Sequence, residues 1–84
     1  MNTTTLIGLF AGLFTTFCLL PQIVKSLKTK KTADLSVYMV LVLWIGLALW
    51  LIYGLQTSDL PLILWNSVSL VLASFLLFLK LKFK

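Results

Sequence analysis

Three uncharged, apolar runs dominate this chain of 84 residues, and they leave few choices of fold. The runs cover residues 6–24, 37–55 and 60–79, each close to the about 20 residues with which an α-helix crosses a bilayer. The segments between and beside them are short, so no soluble domain fits alongside. We therefore predict an all-α membrane protein, in which residues 1–84 form a single transmembrane domain built as a three-helix bundle.

The composition excludes the soluble alternatives. Of the residues, 61% are hydrophobic and 11% are charged, whereas a typical soluble domain is about half apolar and a quarter charged. A domain of 84 residues also buries too small a share of its surface to hide so many apolar side chains. With no histidine and a single cysteine, Cys18, the usual zinc, haem and Ser-His-Asp sites cannot be built. We expect no metal, no cofactor and no enzymatic activity.

The positive charges are confined to the connection between the first two runs and to the C-terminal segment. In a chain with three spans, these two segments lie on the same side of the membrane. The positive-inside rule makes that side cytoplasmic, so the N-terminus and residues 56–59 are expected to face outward. The alternative, a basic surface for nucleic acid, fits the hydropathy poorly, and we expect no nucleic-acid partner. The seven lysines are Lys25, Lys28, Lys30, Lys31, Lys80, Lys82 and Lys84.

The lengths of the two connections constrain how the helices pack. Only four residues join the second run to the third, so these two helices must be antiparallel neighbours. Twelve residues join the first run to the second, which is enough to pass an intervening helix. Asp59 followed by Pro61 is typical of a helix start, and either Ser36 or Asp34 is suited to cap the second helix.

Pro21 lies within the first apolar run, where it removes a backbone donor. The carbonyl of Phe17 then loses its partner, and the helix is expected to kink or hinge there. Gln22 follows directly and carries an amide that can hydrogen-bond to a neighbouring helix. A static kink, or simply a helix end, explains Pro21 equally well from the residues alone.

Trp50 and Asn66 form the most informative pair of polar side chains within the spans. Counted from the short outer turn, both lie roughly 6–9 Å beneath the outer surface on adjacent helices. An indole offers a flat apolar face and an amide offers donors and acceptors, which together suit a polyhydroxylated ring. An interfacial tryptophan and an interhelical asparagine hydrogen bond are the alternatives, and the matched depth weakens them. Asn66 shares a helical stripe with Leu62, Ser69 and Ala73, which lines either a pathway or a packing face.

No Asp, Glu, Lys, Arg or His lies within the three runs. Proton-driven carriers generally use such a group as a relay, so the sequence favours passive movement of a neutral solute. Three helices cannot easily enclose a pathway, whereas two copies, inserted in the same orientation, supply six. We therefore predict a parallel two-fold dimer with its axis along the membrane normal. Gly8 and Gly12 form a small-xxx-small pair, which predicts a helix-packing contact.

The order of these residues resembles the PQ-loop motif of the bacterial SemiSWEET sugar transporters. The resemblance covers essentially the whole chain at the family's usual length, and it implies a half-transporter whose helices pack in the order 1-3-2. It further implies a six-helix homodimer, surrounded by lipid in the bacterial inner (cell) membrane, that moves a mono- or disaccharide by uniport with alternating access. The matching residues are Thr15-Thr16, Pro21-Gln22, Lys25, Thr29-Lys30, Ser36, Trp50, Tyr53-Gly54, Ser58-Asp59-Leu60 and Asn66.

The resemblance also implies roles for individual residues. Trp50 and Asn66 match the sugar-binding pair of the family, and Pro21 with Gln22 matches its hinge. Met39, near the inner end of the second helix, is a candidate for an inner constriction.

The outer gate is where this sequence departs from the resemblance. Tyr53 and Asp59 match residues of that gate, but related proteins often have an arginine where this chain has Thr57. An Arg-Asp lock is therefore unavailable here. Asp59 then either accepts a hydrogen bond from Tyr53 of the partner subunit or serves only as the N-cap of the third helix.

Two further classes of protein remain open from the sequence. A holin-like pore former or a structural membrane subunit shares the composition, but neither predicts the Pro-Gln pair or the matched depth of Trp50 and Asn66. A PQ-loop carrier of another solute, such as an amino acid or a cation, is the second class. A proton-coupled carrier of that kind would need a carboxylate within the membrane, which the spans lack.

Overall fold

The computed structural model describes residues 2–33 and 35–83, and the regular structure of that part is helical. α1 and α2 together make one membrane-length unit, so the described helices form three candidate membrane spans. The bundle measures 43 × 21 × 14 Å, and its long axis matches a bilayer of about 40–45 Å with its headgroups. The predicted three-helix membrane bundle is confirmed. The helices are α1 (Thr3–Phe17), α2 (Leu19–Thr29), α3 (Val37–Thr57) and α4 (Leu60–Phe83).

A one-residue break at Cys18 separates α1 from α2. Pro21 is the third residue of α2, and its missing N–H leaves the carbonyl of Phe17 without the usual partner four residues later. The thiol of Cys18 donates to the carbonyl of Phe14 at 3.3 Å, which gives the last turn of α1 one local bond. The first span is therefore interrupted at Cys18, three residues before Pro21, although Cys18 keeps right-handed helical torsions (φ −63°, ψ −21°).

Side-chain caps mark where α3 and α4 begin. The Ser36 hydroxyl accepts a hydrogen bond from the backbone N–H of Met39 at 3.4 Å, and the Asp59 carboxylate accepts one from the N–H of Leu62 at 3.3 Å. Each cap pairs a backbone donor that the first turn of a helix cannot satisfy internally. The predicted caps Ser36 and Asp59 are confirmed, while Asp34, the other candidate for α3, lies outside the described residues.

α4 lies between the other two spans. It packs against α1, α2 and α3, whereas among the described residues no Cα of α1 or α2 comes within 8 Å of a Cα of α3. A tight turn makes α3 and α4 antiparallel neighbours, because Ser58 adopts the left-handed conformation (φ 55°) and donates its N–H to the carbonyl of Gly54. The spans therefore follow the expected order 1-3-2.

Two glycines allow α1 to approach α4 closely. A Cβ atom on Gly8 would lie 3.0 Å from the ring of Pro61, and one on Gly12 would overlap the ring of Trp65. Small residues at this spacing let helix backbones come together inside a membrane, where packing rather than the hydrophobic effect holds helices. The predicted packing contact of the glycine pair is confirmed, and its partner is the third span.

The two ends of the bundle are built differently. We call the end that carries Lys80, Lys82 and the connection between α2 and α3 the basic end, and the opposite end the Asp59 end. The apolar core lies toward the basic end, where the Lys80 ammonium also donates to the carbonyl of Thr32 at 2.8 Å. The core residues are Ile23, Leu35, Val40, Leu76 and Leu79.

The outer surface of the bundle is apolar over most of its length. Phe14 is 73% exposed, and Val42 and Val71 are exposed to a similar extent. A soluble monomer does not tolerate contiguous apolar patches of this kind, whereas lipid covers them at no cost. Together with the three span-length helices, this surface identifies an integral membrane protein.

Candidate functional site

An open cavity of about 1040 Å³ lies at the Asp59 end, mainly between α1 and α4, and Leu47 and Thr57 of α3 also line it. It extends from the turn before α4 to the level of Ser69, a rise of about 14 Å along that helix. This volume is at the upper end of the about 300–1000 Å³ typical of small-molecule sites. Hydroxyl and amide side chains occur on both walls, with Thr4, Thr5, Thr15 and Thr16 on α1 and Asn66 and Ser69 on α4.

Asn66 lies half-buried on the α4 wall of this cavity. Its Nδ2 donates to the carbonyl of Leu62 at 2.8 Å, one turn earlier on the same helix. That bond fixes the plane of the amide and uses one of its two hydrogens. The second hydrogen and the carbonyl oxygen retain capacity for a bound solute.

Trp50 lies on α3, where 54% of the residue is exposed. Its ring stands edge-on to the ring of Tyr53, with centroids 5.5 Å apart and planes at 84°. A recess of about 340 Å³ opens beside the two rings, and it is bordered by Leu49 and Gly46. Gly46 leaves this space open, since a Cβ atom there would have no neighbour within 4 Å. The indole therefore presents an accessible aromatic face.

Trp50 and Asn66 lie at matched depth but line different concavities of the single chain. Trp50 comes seven residues before the end of α3 and Asn66 six residues after the start of α4, which places them about 10 Å and 9 Å from the Asp59 end. The Asn66 cavity lies between α1 and α4, whereas the Trp50 recess lies on α3. One copy of the chain therefore does not bring the indole and the amide into one pocket.

Pro21 and Gln22 both lie exposed on the first turn of α2. They are outside the residues that line the cavity. The interhelical hydrogen bond predicted for Gln22 is not formed among the described residues. The structural role visible at this position is thus the helix break that Pro21 produces.

The two candidate outer-gate residues lie near the Asp59 end without being paired to each other. Asp59 is half-buried, borders the cavity and caps α4. Tyr53 is 53% exposed beside Trp50, and its carbonyl accepts a hydrogen bond from the Thr57 hydroxyl at 2.9 Å. Among the described residues no hydrogen bond joins the phenol of Tyr53 to the carboxylate of Asp59.

Met39, the candidate for the inner constriction, lies exposed on the first turn of α3 at the basic end. Its position along the bundle is as expected, far from the cavity and from Trp50. It lines neither of the two concavities.

Three cavity residues received no individual role from the sequence. Thr16 and Ser69 form a buried hydrogen bond across the cavity wall, with 2.8 Å between their Oγ atoms. Ser69 had a signal, because it shares the helical stripe of Asn66, whereas nothing in the sequence pointed from Thr16 to the third span. Trp65 lines the cavity as well and packs edge-on against Phe17 at 6.4 Å between centroids. The spacing was the available clue: Trp65 comes four residues after Pro61, as Gly12 comes four residues after Gly8, so the two pairs can meet along the same two helices.

Known proteins resemble this chain over nearly its whole length. A family model described as PQ loop repeat matches residues 3–63. A protein of Bradyrhizobium diazoefficiens named sugar transporter SemiSWEET is 49% identical over 78 residues, which cover 93% of this chain and 91% of that relative. A protein of Leptospira biflexa with the same name is 42% identical over 76 residues, covering 90% and 89% of the two chains.

The fold also agrees with a solved structure. One described as the crystal structure of a bacterial homologue of SWEET transporters superimposes with a TM-score of 0.95 at 38% sequence identity. The match covers 99% of this chain and 100% of that chain, so the lengths as well as the helix arrangement correspond. Sequence and fold therefore agree that this integral membrane protein belongs to the PQ-loop repeat family, in its SemiSWEET group.

Proposed function

We propose that this protein moves a mono- or disaccharide across the membrane by facilitated transport. The observation that carries the proposal is the cavity between α1 and α4, where hydroxyl groups and the Asn66 amide line a space of small-molecule size. Such a lining offers several neutral hydrogen-bonding groups, which is what a polyhydroxylated solute needs. The relatives named sugar transporter SemiSWEET support the substrate class.

Trp50 and Asn66 are proposed to bind the sugar. The apolar C–H face of a sugar ring stacks on an indole, while its hydroxyls exchange hydrogen bonds with an amide. Neither side chain titrates, and no Asp, Glu, Lys, Arg or His lies within the apolar runs. A site of this chemistry binds a neutral solute and offers no proton relay, which favours uniport down a concentration gradient.

A second copy of the chain is proposed to complete the site. In one copy the cavity is open, and the Trp50 recess is exposed on another helix. A parallel homodimer with its two-fold axis along the membrane normal encloses a central pathway with six helices. It also covers polar side chains that would otherwise face lipid. Each copy contributes one Trp50 and one Asn66 to that pathway.

Alternating access requires a movable element and two constrictions. The break at Cys18, produced by Pro21 and followed by Gln22, is proposed as the hinge. The outer constriction is assigned to Tyr53 and Asp59 at the Asp59 end.

Met39 is assigned to the inner constriction at the basic end. By the positive-inside rule, the basic end faces the cytoplasm and the Asp59 end faces outward across the bacterial inner membrane.

Uptake by purified protein in liposomes tests the proposal. Labelled glucose or sucrose is expected to equilibrate across the bilayer without a proton gradient. Trp50→Ala and Asn66→Ala are each expected to abolish uptake while leaving the dimer intact, as judged by chemical cross-linking. Ile52→Ala and Ser67→Ala are the matched controls, because they change the same helices outside both concavities, and they are expected to retain uptake.

Three outcomes would contradict the proposal. Uptake at the wild-type rate by either site variant would remove Trp50 or Asn66 from the site. Unselective leakage of a large trapped dye through the wild-type protein would instead indicate a pore former. Efficient competition by an amino acid, with none by sugars, would reassign the solute.

A further inference from the structure

Thr16 and Ser69 form a buried hydrogen bond between the first span and the third, and we call them the hydroxyl pair. Their Oγ atoms lie 2.8 Å apart, either atom can donate, and the two residues are 2% and 7% exposed. Thr16 lies on the last turn of α1, one residue before the helix ends at Phe17. The bond therefore joins α1 to α4 immediately before the break at Cys18.

Neighbouring hydroxyls bond to their own helix instead. Thr15 donates to the carbonyl of Gly12 at 3.2 Å, and Ser67 donates to the carbonyl of Ile63 at 2.6 Å. Serine and threonine in a helix commonly satisfy themselves in this local way. The cross-helix bond of the hydroxyl pair is consequently a feature of this packing rather than the default for the residue type.

The hydroxyl pair continues a regular series of contacts between α1 and α4. Gly8 meets Pro61 and Gly12 meets Trp65, and the hydroxyl pair has the same sequence separation of 53 residues. The glycine contacts are van der Waals contacts without a preferred direction, so they tolerate rocking of one helix on the other. A hydrogen bond constrains both distance and angle. The register of α1 on α4 is thus set at the hydroxyl pair.

We propose that the hydroxyl pair is a latch that holds α1 on α4, so that movement during transport is confined to the break beyond it. Thr16 and Ser69 are positioning residues in this account, because they act through the helices and not on the sugar. With the latch closed, α1 and the part of α4 at the Asp59 end form one wall of the cavity. A rotation at the break then changes that wall as a unit and shifts α2 on the part of α4 at the basic end, against which Ile23 packs. With the latch removed, α1 rocks on α4 independently. A rotation at the break then moves α1 alone and no longer changes the α4 wall of the cavity. The proposal rests on the transport function proposed above.

The size of the effect follows from hydrogen bonds measured between membrane helices, which shift a two-state equilibrium by a factor of roughly 3–20. Thr16→Val and Ser69→Ala each remove the bond with little change in volume. Each is expected to lower the maximal rate of sugar uptake by roughly 3- to 20-fold while KM changes less than about twofold. The double variant is expected to be no slower than the slower single one, since both remove the same bond.

Two conservative variants separate a latch from simple packing. Thr16→Ser keeps the hydroxyl and loses a methyl group, so it is expected to restore most of the rate. Ser67→Ala removes a hydroxyl that bonds within its own helix, so it is expected to leave the rate unchanged. A Thr16→Ser variant as slow as Thr16→Val, an additive double variant or a change confined to KM would each overturn the proposal.

Hydrogen exchange of the protein in lipid nanodiscs provides a readout that needs no solute. Backbone amides of residues 14–20 are expected to exchange roughly 3- to 20-fold faster in Thr16→Val and in Ser69→Ala, and at the wild-type rate in Ser67→Ala. Faster exchange in both variants of a protein that moves no sugar would support the hydrogen bond as a latch between α1 and α4 and would contradict the proposed transport function. Unchanged exchange in both variants of a protein that does transport sugar would remove the latch and preserve the function.

Discussion

α4 runs from the Asp59 end to the basic end of the bundle, and it packs differently at the two ends. Toward the basic end, large apolar side chains interlock, and Leu76 and Val40 are almost fully buried. Toward the Asp59 end, α1 touches α4 through glycines and otherwise leaves a cavity with a hydroxyl-rich lining. The change from one type of packing to the other occurs near Ser69 on α4 and at the break on the first span.

The difference shows how a chain of this size combines stability with an open cavity. Within a membrane, helices gain little from the hydrophobic effect, so stability depends on close packing and on hydrogen bonds. The densely packed basic end supplies that stability, so the Asp59 end can contain a cavity without unfolding the bundle. We expect substitutions at the basic end to change stability more than recognition, and substitutions in the cavity to do the reverse.

Loss of core packing at the basic end is expected to have the largest effect on stability. Leu76→Ala removes a side chain that is 1% exposed, and it should lower the free energy of unfolding by about 3 kcal/mol through the cavity left behind. Leu81→Ala, on the same helix but exposed to lipid, is the matched control and should change it by less than about 0.5 kcal/mol. Steric trapping in bicelles measures both values, and equal losses would contradict a core confined to the buried face.

Blocking the close contact between α1 and α4 is expected to have the next largest effect on stability. A methyl group in Gly12→Ala overlaps the Trp65 ring, which must move, and the free energy of unfolding should fall by about 2 kcal/mol. Gly46→Ala meets no atom within 4 Å, and it should leave stability unchanged or raise it by up to about 1 kcal/mol. The same unfolding measurement compares them, and a harmless Gly12→Ala would refute the close contact.

The hydrogen bond that ties the α2–α3 connection to α4 is expected to contribute less. Lys80→Met removes the donor to the carbonyl of Thr32, a bond from a charged group, and should cost about 1.5 kcal/mol. Lys82→Met is the control, because the interactions of the Lys82 ammonium within the described residues are with the faces of Phe78 and Phe83, worth about 0.5 kcal/mol. A larger loss for Lys82→Met in the same unfolding measurement would reverse the assignment.

The cap at the Asp59 end is expected to give the smallest effect. Asp59→Ala should lower the free energy of unfolding by about 1 kcal/mol, because the N–H of Leu62 loses its acceptor. Asp59→Asn keeps an oxygen in the same place and should restore all but a few tenths of that loss. Sugar uptake measured in parallel tells whether the residue also gates: a slow but stable Asp59→Asn variant would indicate that its charge matters beyond the cap.

Much of the fold was predictable because it depends on local rules. Four features each follow from a short stretch of sequence: the length of the spans, the break near Pro21, the caps at Ser36 and Asp59, and the pairing of α3 with α4 as neighbours. The packing of Gly8 and Gly12 was predictable for the same reason, since small residues at this spacing mark a close approach.

The site was predictable only in part. The matched depth of Trp50 and Asn66 followed from counting residues, because a helix rises at a constant rate. Which concavity each side chain lines depends on the rotation of every helix about its axis, and the apolar runs give little sign of that rotation. The same uncertainty hid the bond from Thr16 to Ser69, since adjacent threonines point in different directions and the rotation of α1 decides which of them faces α4.

Counterflow in proteoliposomes tests the central claim, that this is a carrier for sugar, most directly. Vesicles preloaded with unlabelled glucose or sucrose are diluted into a trace of the labelled sugar, and the label inside is followed over time. A carrier that alternates between two states predicts a transient accumulation of label above the outside concentration, absent in Asn66→Ala. A monotonic approach to equal concentrations in the wild type, with no such overshoot for any sugar tested, would contradict the account.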